Sequence, residues 1–383
     1  MAAKRYLFTP GPTPVPPEVL AALATPVVHH RSSDFRPVYE ECLERLQALC
    51  RTTSDVLLFT ASGTGAMESA VANLGAPGSR VVVVSAGAFG ERWIEIADRY
   101  GCEVMPMRYE WGEVPQADDL ASRLSELGDV RAVLLTHSET STGVVSDLRA
   151  HAEAIRPSGA HVVVDAVSSL GAVPLEMDEW GIDVVCSGSQ KALMTPPGLA
   201  LAAVSDAVWK PEGRSSLPRY YFDWERTRKA QEILDAPFTP AVSLVLGLNV
   251  ALGLLLEEGL EAVFDRHVRL GRACRAGAKA MGLELFSPDD DSSAVVTAIK
   301  SPPGIDAAEL VAHLRQRHGV QLAKGHGPLG PTVFRIGHIG YYDVFDVATA
   351  LAAVELGLAE LGAHVERGVG VASALAAFQS VPA

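Results

Sequence analysis

Short, largely apolar, β-branched runs recur through the first half of the chain, and they constrain its fold more than any other feature. They are VLLF at 56–59, VVVV at 81–84, AVLL at 132–135, HVVV at 161–164, DVVC at 183–186 and LALAAV at 199–204. Helical patterns lie between most of them, for example at 65–74, 91–100 and 118–127. A strand that is apolar on both faces must be covered on both faces, and the intervening helices supply that cover. The alternation predicts an α/β fold with a mostly parallel sheet sandwiched by helices. Ligands of such sheets sit beyond the carboxyl ends of the strands.

After Pro240 the pattern changes. Two long helical segments, roughly 241–258 and 259–281, precede a strand at 294–299, a helix at 306–318, a strand near 333–337 and helices to the end. This reads as a smaller α+β domain. The opening TPGPTPVPPEVL is too proline-rich for a helix or a central strand, so it reads as an extended arm with a helix starting near Pro17. The expected division is an arm at 1–16, a large domain at 17–258 and a small domain at 259–383.

Lys plus Arg number 32 against 46 Asp plus Glu, a net charge of −14. Such a surface repels phosphate backbones and anionic headgroups, so neither nucleic acid nor membrane is an expected partner. The five cysteines form no C-x-x-C pair, which reads as reduced thiols in a cytoplasmic protein. No signal-peptide apolar core is expected near the N-terminus. The most apolar stretch, 241–256, is broken by Ser243 and Asn249 and is shorter than the ~20 residues of a membrane span. His29 and His30 are adjacent, but no H-x-x-x-H or H-E-x-x-H spacing occurs, so no metal is expected. There is no G-x-S-x-G elbow of a serine hydrolase.

Two strand ends carry the chemistry. HVVVDAVSSLG ends its strand at Asp165, and IDVVCSGSQKALMTPPG places Gln190 and Lys191 just beyond its own. A carboxylate and an amine thus share one sheet edge. Pyridoxal-phosphate chemistry needs both: the amine forms a Schiff base, and the carboxylate keeps the pyridine nitrogen protonated. Alone, Asp165 could cap a turn and Lys191 could be a solvated lysine. The stiff SGSQK–TPPG loop between apolar strands argues against the latter. Ser62, Gly63 and Thr64 lead from a strand into a helix, where amides and dipole favour an anion. A dinucleotide fingerprint fails there, because Glu68 stands at its third glycine and the next strand ends at Ser85. Phe89 could stack on a ring or fill the core. Thr140, Ser141 and Thr142 could reach a phenolic oxygen or form an ordinary loop. Arg335, in an apolar strand, requires an anionic partner, either a substrate carboxylate or a structural salt bridge.

The ordered run of motifs resembles the class V aminotransferases of fold type I, nearest the alanine–glyoxylate and serine–glyoxylate enzymes. It comprises LFTPGPTPVP, ASGTGAMES, GAFGER, HSETSTGV, VVVDAVSSLG, SGSQKALMTPPG, FTPA at 238–241 and VFRIGHIG. The resemblance implies pyridoxal 5'-phosphate on Lys191, with Lys191 as proton shuttle and Asp165 on the pyridine nitrogen. Ser62, Gly63 and Thr64 would hold the phosphate, with Gln190 nearby. Phe89 would stack on the ring and Val167 would pack its other face. Thr140 would approach the phenolic oxygen. Arg335 would hold the substrate carboxylate under the Pro10–Gly11 backbone. Thr239 would complete a neighbouring subunit's phosphate site, making a homodimer with shared sites. Phe238 departs from the pattern where relatives often show Tyr.

The implied reaction is a ping-pong transamination. One carboxylate clamp, with Arg31 as the sole second candidate, suggests alanine or serine as donor and glyoxylate or pyruvate as acceptor. The alternatives are an aspartate-type aminotransferase, a lyase or desulfurase on the same scaffold, and a non-catalytic partner subunit that keeps the fold.

Overall fold

The computed structural model describes residues 4–210, 215–288 and 293–380. A seven-stranded sheet runs in the order Asp55–Phe59, Ala200–Val204, Val184–Gly188, His161–Asp165, Ala132–Thr136, Arg80–Ser85, Glu103–Arg108. Ala200–Val204 is antiparallel to both its neighbours, and every other pairing is parallel. All six runs singled out in the sequence are strands of this sheet. The seventh, Glu103–Arg108, escaped that reading. It is an edge strand with alternating exposure and Pro106 in its middle, and an edge tolerates proline because one side needs no ladder donor.

Burial alternates along the central strands. Val162 and Val164 face one apolar cluster, while Val163 faces the other. The first cluster is closed by helices Arg36–Cys50, Leu148–Ile155 and Val242–Glu258, through residues such as Leu46, Leu148 and Leu252. The second is closed by Gly63–Leu74 and Ala88–Arg99, through Met67 and Trp93. The apolar helix Val242–Glu258 is a core helix. Among the described residues no single helix is long and apolar enough to cross a membrane.

Gly259, at φ 88°, lets the chain bend by 88° into the helix Leu260–Ala280. Leu260, Val263 and Phe264 join the first cluster, whereas Leu270 and Ala273 belong to another. The two cores therefore meet along this helix rather than at its start. The second core lies under a three-stranded antiparallel sheet of Val296–Lys300, Val333–Gly337 and Ala323–Lys324, covered by Ala307–His318 and Val344–Glu360. The N-terminal arm is anchored to this smaller unit. Tyr6–Leu7 pairs in parallel with Val320–Gln321, and Phe8 enters the second core.

Candidate active site

Lys191 follows the Val184–Gly188 strand on a loop that ties itself closed. Thr195 N donates to the Ser189 carbonyl at 3.0 Å, and Met194 N to the Lys191 carbonyl at 3.0 Å. The Lys191 carbonyl also accepts from Thr13 Oγ1 at 3.0 Å, so the arm is stitched to the loop. The Lys191 side chain is only 8% exposed. Its Nζ donates to the Pro10 carbonyl at 2.6 Å. Gly11 lies directly over it: with φ 141° it occupies backbone space open to glycine, and a Cβ there would collide with the lysine side chain. Burial first, then the nearby Arg335 charge, lowers the Lys191 pKa from 10.5 to about 8.

Asp165 closes the His161–Asp165 strand, in register with Thr136 and Cys186 on the flanking strands. It is 4% exposed, and its Oδ1 accepts from Val167 N at 2.9 Å. Burial raises its pKa from 3.8 to about 6, against that hydrogen bond and the pull of Arg92 and Lys191. Both groups line one cavity of about 270 Å³, together with Gly11, Ser62, Gly63, Thr64, Phe89, Val167 and Gln190. The fold thus gathers most of the residues singled out in the sequence.

One end of the cavity is an anion cradle. Ser62 caps the Gly63–Leu74 helix with extended backbone and no side-chain cap bond, while Gly65 N turns back to the Ser62 carbonyl at 2.7 Å. Among the described residues the Gly63 and Thr64 amides find no acceptor, so they face the cavity as unpaired donors at a positive helix end. A Cβ on Gly63 would sit 2.5 Å from Val167 Cγ2, so only glycine allows this approach. Arg92 also lines the cavity. It donates to Thr64 Oγ1 at 3.3 Å and lies over the Phe89 ring at 4.7 Å. Sequence reasoning missed it, although it stands three residues after Phe89 on one helix and so on the same face.

Two buried side-chain atoms of the cavity wall also lack partners among the described residues. Gln190 Oε1 and Ser138 Oγ are buried and make no hydrogen bond. Such groups are costly unless a ligand satisfies them. Of the Ser138–Thr142 segment, Ser138 rather than Thr140 lines the cavity. Thr140 is buried behind the wall, and its carbonyl accepts from Arg335.

Glu139 is a second missed residue. Its Oε2 accepts from Phe89 N at 2.9 Å and Gly90 N at 3.1 Å, and its Oε1 from Ser141 N at 3.2 Å. A buried carboxylate on the short strand Ser138–Glu139 thus caps the Ala88–Arg99 helix and fixes the start of the segment that presents Phe89. Burial pushes its pKa up, and those donors pull it back.

Arg335 lies on the Val333–Gly337 strand and is 5% exposed. Of the two partners the sequence allowed, a structural salt bridge is not formed with any described residue. Nη1 donates to the Thr140 carbonyl at 2.7 Å, while Nε and Nη2 reach the Lys324 carbonyl at 3.1 and 2.7 Å. Carbonyl dipoles hold the guanidinium in place and leave one N–H on each terminal nitrogen. Burial lowers its pKa to about 10. It lines a neighbouring cavity with His326, whose ring meets Phe89 edge-on at 5.6 Å.

Thr239 and Arg31 are not brought to the lysine. Thr239 lines a separate cleft with Tyr221 and Phe238. Arg31 is half exposed and pairs with Asp235 at 2.8 Å.

An amine kept largely free of solvent, with an acid and an anion cradle in the same cavity, defines a site for lysine-based carbonyl chemistry. Comparison with known proteins makes this specific. The family profile described as Aminotransferase class-V matches residues 5–341. The chain belongs to the class-V aminotransferases. The 42 kDa subunit named soluble hydrogenase in Anabaena cylindrica is 41% identical, across 99% of this chain and all of its own length. The serine–glyoxylate aminotransferase of Methylorubrum extorquens is 38% identical, across 99% of this chain and 97% of that protein. The crystal structure of a ureidoglycine–glyoxylate aminotransferase from Bacillus subtilis superposes with a TM-score of 0.92 at 32% identity, covering 99% of each chain. The fold is that of the fold type I aminotransferases.

Proposed function

We propose that this chain uses pyridoxal 5'-phosphate on Lys191 to transfer an amino group from alanine or serine to glyoxylate or pyruvate, as a homodimer with shared sites. The observation that carries this is that two buried groups, the Lys191 amine and the Asp165 carboxyl, line one cavity of about 270 Å³.

The cavity's own residues fit the cofactor. The Gly63 and Thr64 amides and Arg92 suit its phosphate. Asp165 suits the pyridine nitrogen, and Phe89 and Val167 suit the two ring faces. The unpartnered Gln190 Oε1 and Ser138 Oγ offer polar contacts for its substituents. When bound, the cofactor supplies an electron-withdrawing ring that acidifies the Cα–H of an attached amino acid.

The protein's part is positional and electrostatic. Asp165, ionised, holds a proton on the ring nitrogen. Lys191 Nζ, whose neutral form burial favours, would take the Cα proton and return it one atom away. Arg335 has two N–H groups left over from its carbonyl partners, the number a bidentate carboxylate needs. The Pro10–Gly11 backbone covers the lysine and excludes water.

A small donor follows from a single carboxylate clamp. Within this chain Arg31 is occupied by Asp235 and does not line the cavity. Shared sites are supported by the place of Thr239, on a surface where Tyr220 and Tyr221 are 68% and 41% exposed. A panel of amino donors against glyoxylate, pyruvate and oxoglutarate tests the preference. Aspartate turnover far above alanine and serine would refute it.

The name of the Anabaena relative favours a second reading, a non-catalytic subunit. Retention of Lys191, Asp165 and Arg335 together opposes it. The five thiols are buried separately, with none paired, and burial pushes those of Cys42 and Cys50 up to about 12. That also removes the accessible, activated thiol a desulfurase needs. No visible absorbance after addition of pyridoxal phosphate would favour the non-catalytic subunit.

A further inference from the structure

We propose that His313, His318 and Glu360 form a binding site for a zinc-class divalent cation that ties two helices of the smaller unit together. The site lies outside the lysine-bearing cavity and uses none of its residues. His313 and His318 come from the helix Ala307–His318, and Glu360 is the last residue of Val344–Glu360.

Three observations support it. The first is convergence. Glu360 Oε2 contacts His313 Nε2 at 2.6 Å and His318 Nε2 at 2.9 Å, and the three potential ligand atoms all lie within 4.8 Å of one another. Zinc bonds nitrogen and oxygen at about 2.0–2.2 Å, which separates tetrahedral ligand atoms by about 3.3 Å. An ion therefore needs each N···O gap to widen by only some tenths of an ångström. Rotation of the glutamate side chain supplies that widening, and the two imidazole Nε2 atoms, now at most 4.8 Å apart, close on the ion by side-chain rotation of the histidines.

The second is polarity. His318 ends one helix and Glu360 ends the other, so the trio lies at two helix C-termini, each carrying partial negative charge. A cation is the complementary charge. The third is access. The side chains are 22%, 23% and 31% exposed, so solvent and an ion can reach them and positions for water on the ion stay open.

The donor set selects the ion. Two imidazoles and one carboxylate, without thiolate, suit zinc and its late first-row neighbours, and do not suit magnesium or calcium. Each imidazole offers Nε2 once its proton sits on Nδ1. The sequence spacing, His313 followed by His318, matches no helical two-histidine motif, and the third ligand stands 42 residues further on. Only the fold assembles the trio.

The test uses untagged, pyridoxal-phosphate-loaded protein stripped of metal with a chelator, then titrated with zinc by calorimetry and by thermal unfolding. The expected result is one ion per chain at this site and an unfolding midpoint that rises with the logarithm of zinc concentration. His313→Gln and His318→Gln should each weaken binding about tenfold or more, and excess magnesium should not compete. Glu360→Gln, which keeps the side chain's shape, should also lose affinity while remaining folded by circular dichroism. Zinc binding that survives unchanged in the His313→Gln/His318→Gln double variant would overturn the proposal. So would equal competition by magnesium.

Discussion

Lys191 Nζ donates to the Pro10 carbonyl at 2.6 Å, so the N-terminal arm touches the reactive amine directly. This contact keeps the amine oriented, while burial keeps it weakly basic. With a pKa of about 8 in place of 10.5, roughly one molecule in ten carries the neutral amine at pH 7, against about one in three thousand for an ordinary lysine. Only the neutral amine attacks an aldehyde. Uptake of pyridoxal phosphate by cofactor-free protein should therefore accelerate about tenfold between pH 6 and pH 7 and level off above about pH 8. A rate that keeps climbing to pH 10 would contradict the assignment.

Asp165 carries the opposite burden. The unfolded chain ionises this carboxyl near 3.8 and the cofactor-free native state near 6. Between those values the native state binds more protons, so stability falls as pH rises, and the cost is complete above about pH 6. Asp165→Asn removes it. The variant should gain on the order of 2–3 kcal/mol at pH 7.5 in the cofactor-free state and only about 0.5 kcal/mol at pH 4. The asparagine oxygen can still accept from Val167. Turnover should nevertheless fall at least about a hundredfold, because a neutral amide cannot hold the ring-nitrogen proton. Thermal unfolding at the two pH values and steady-state rates check both halves.

Glu139 supports Phe89 through the backbone. Glu139→Ala strips an acceptor from the Phe89 and Gly90 amides and should cost about 1–3 kcal/mol. It should also raise the dissociation constant of the cofactor, since the ring-facing segment loses its anchor. Glu139→Gln should keep much of the stability. Denaturant melts and cofactor titrations separate this from a purely local effect.

Arg335→Lys preserves the charge and loses the fork. The Thr140 and Lys324 carbonyls lose fixed partners, and a bidentate clamp becomes a point charge. The loss of kcat/KM should be about 30- to 100-fold, on the order of 2–3 kcal/mol, expressed mainly in the KM for the amino donor. A variant with unchanged KM for every donor would remove Arg335 from the substrate site.

Much of this was readable in the sequence, for definite reasons. Strands buried on both faces leave uninterrupted valine runs, so Arg80–Ser85 and His161–Asp165 were plain. Glu103–Arg108 faces solvent at the edge and carries no such run. Lys191 and Asp165 were legible because strand ends fix where the next residues point. Arg92 was not, because a charged residue in a helix looks like any solvated one. Glu139 was hidden because the Phe89 and Gly90 amides it holds lie about 50 residues earlier in the chain. The partners of Arg335 are backbone carbonyls, which no side-chain pattern encodes. Thr239 lies away from the cavity within one chain, so no single-chain reading can place it there.

The central claim is that Lys191 carries the cofactor. Protein incubated with pyridoxal phosphate, reduced with borohydride, digested and analysed by mass spectrometry should bear a pyridoxyl group on the peptide containing Lys191, at close to one per chain. Labelling spread over surface lysines, or a Lys191→Ala variant labelled to the same extent, would contradict it.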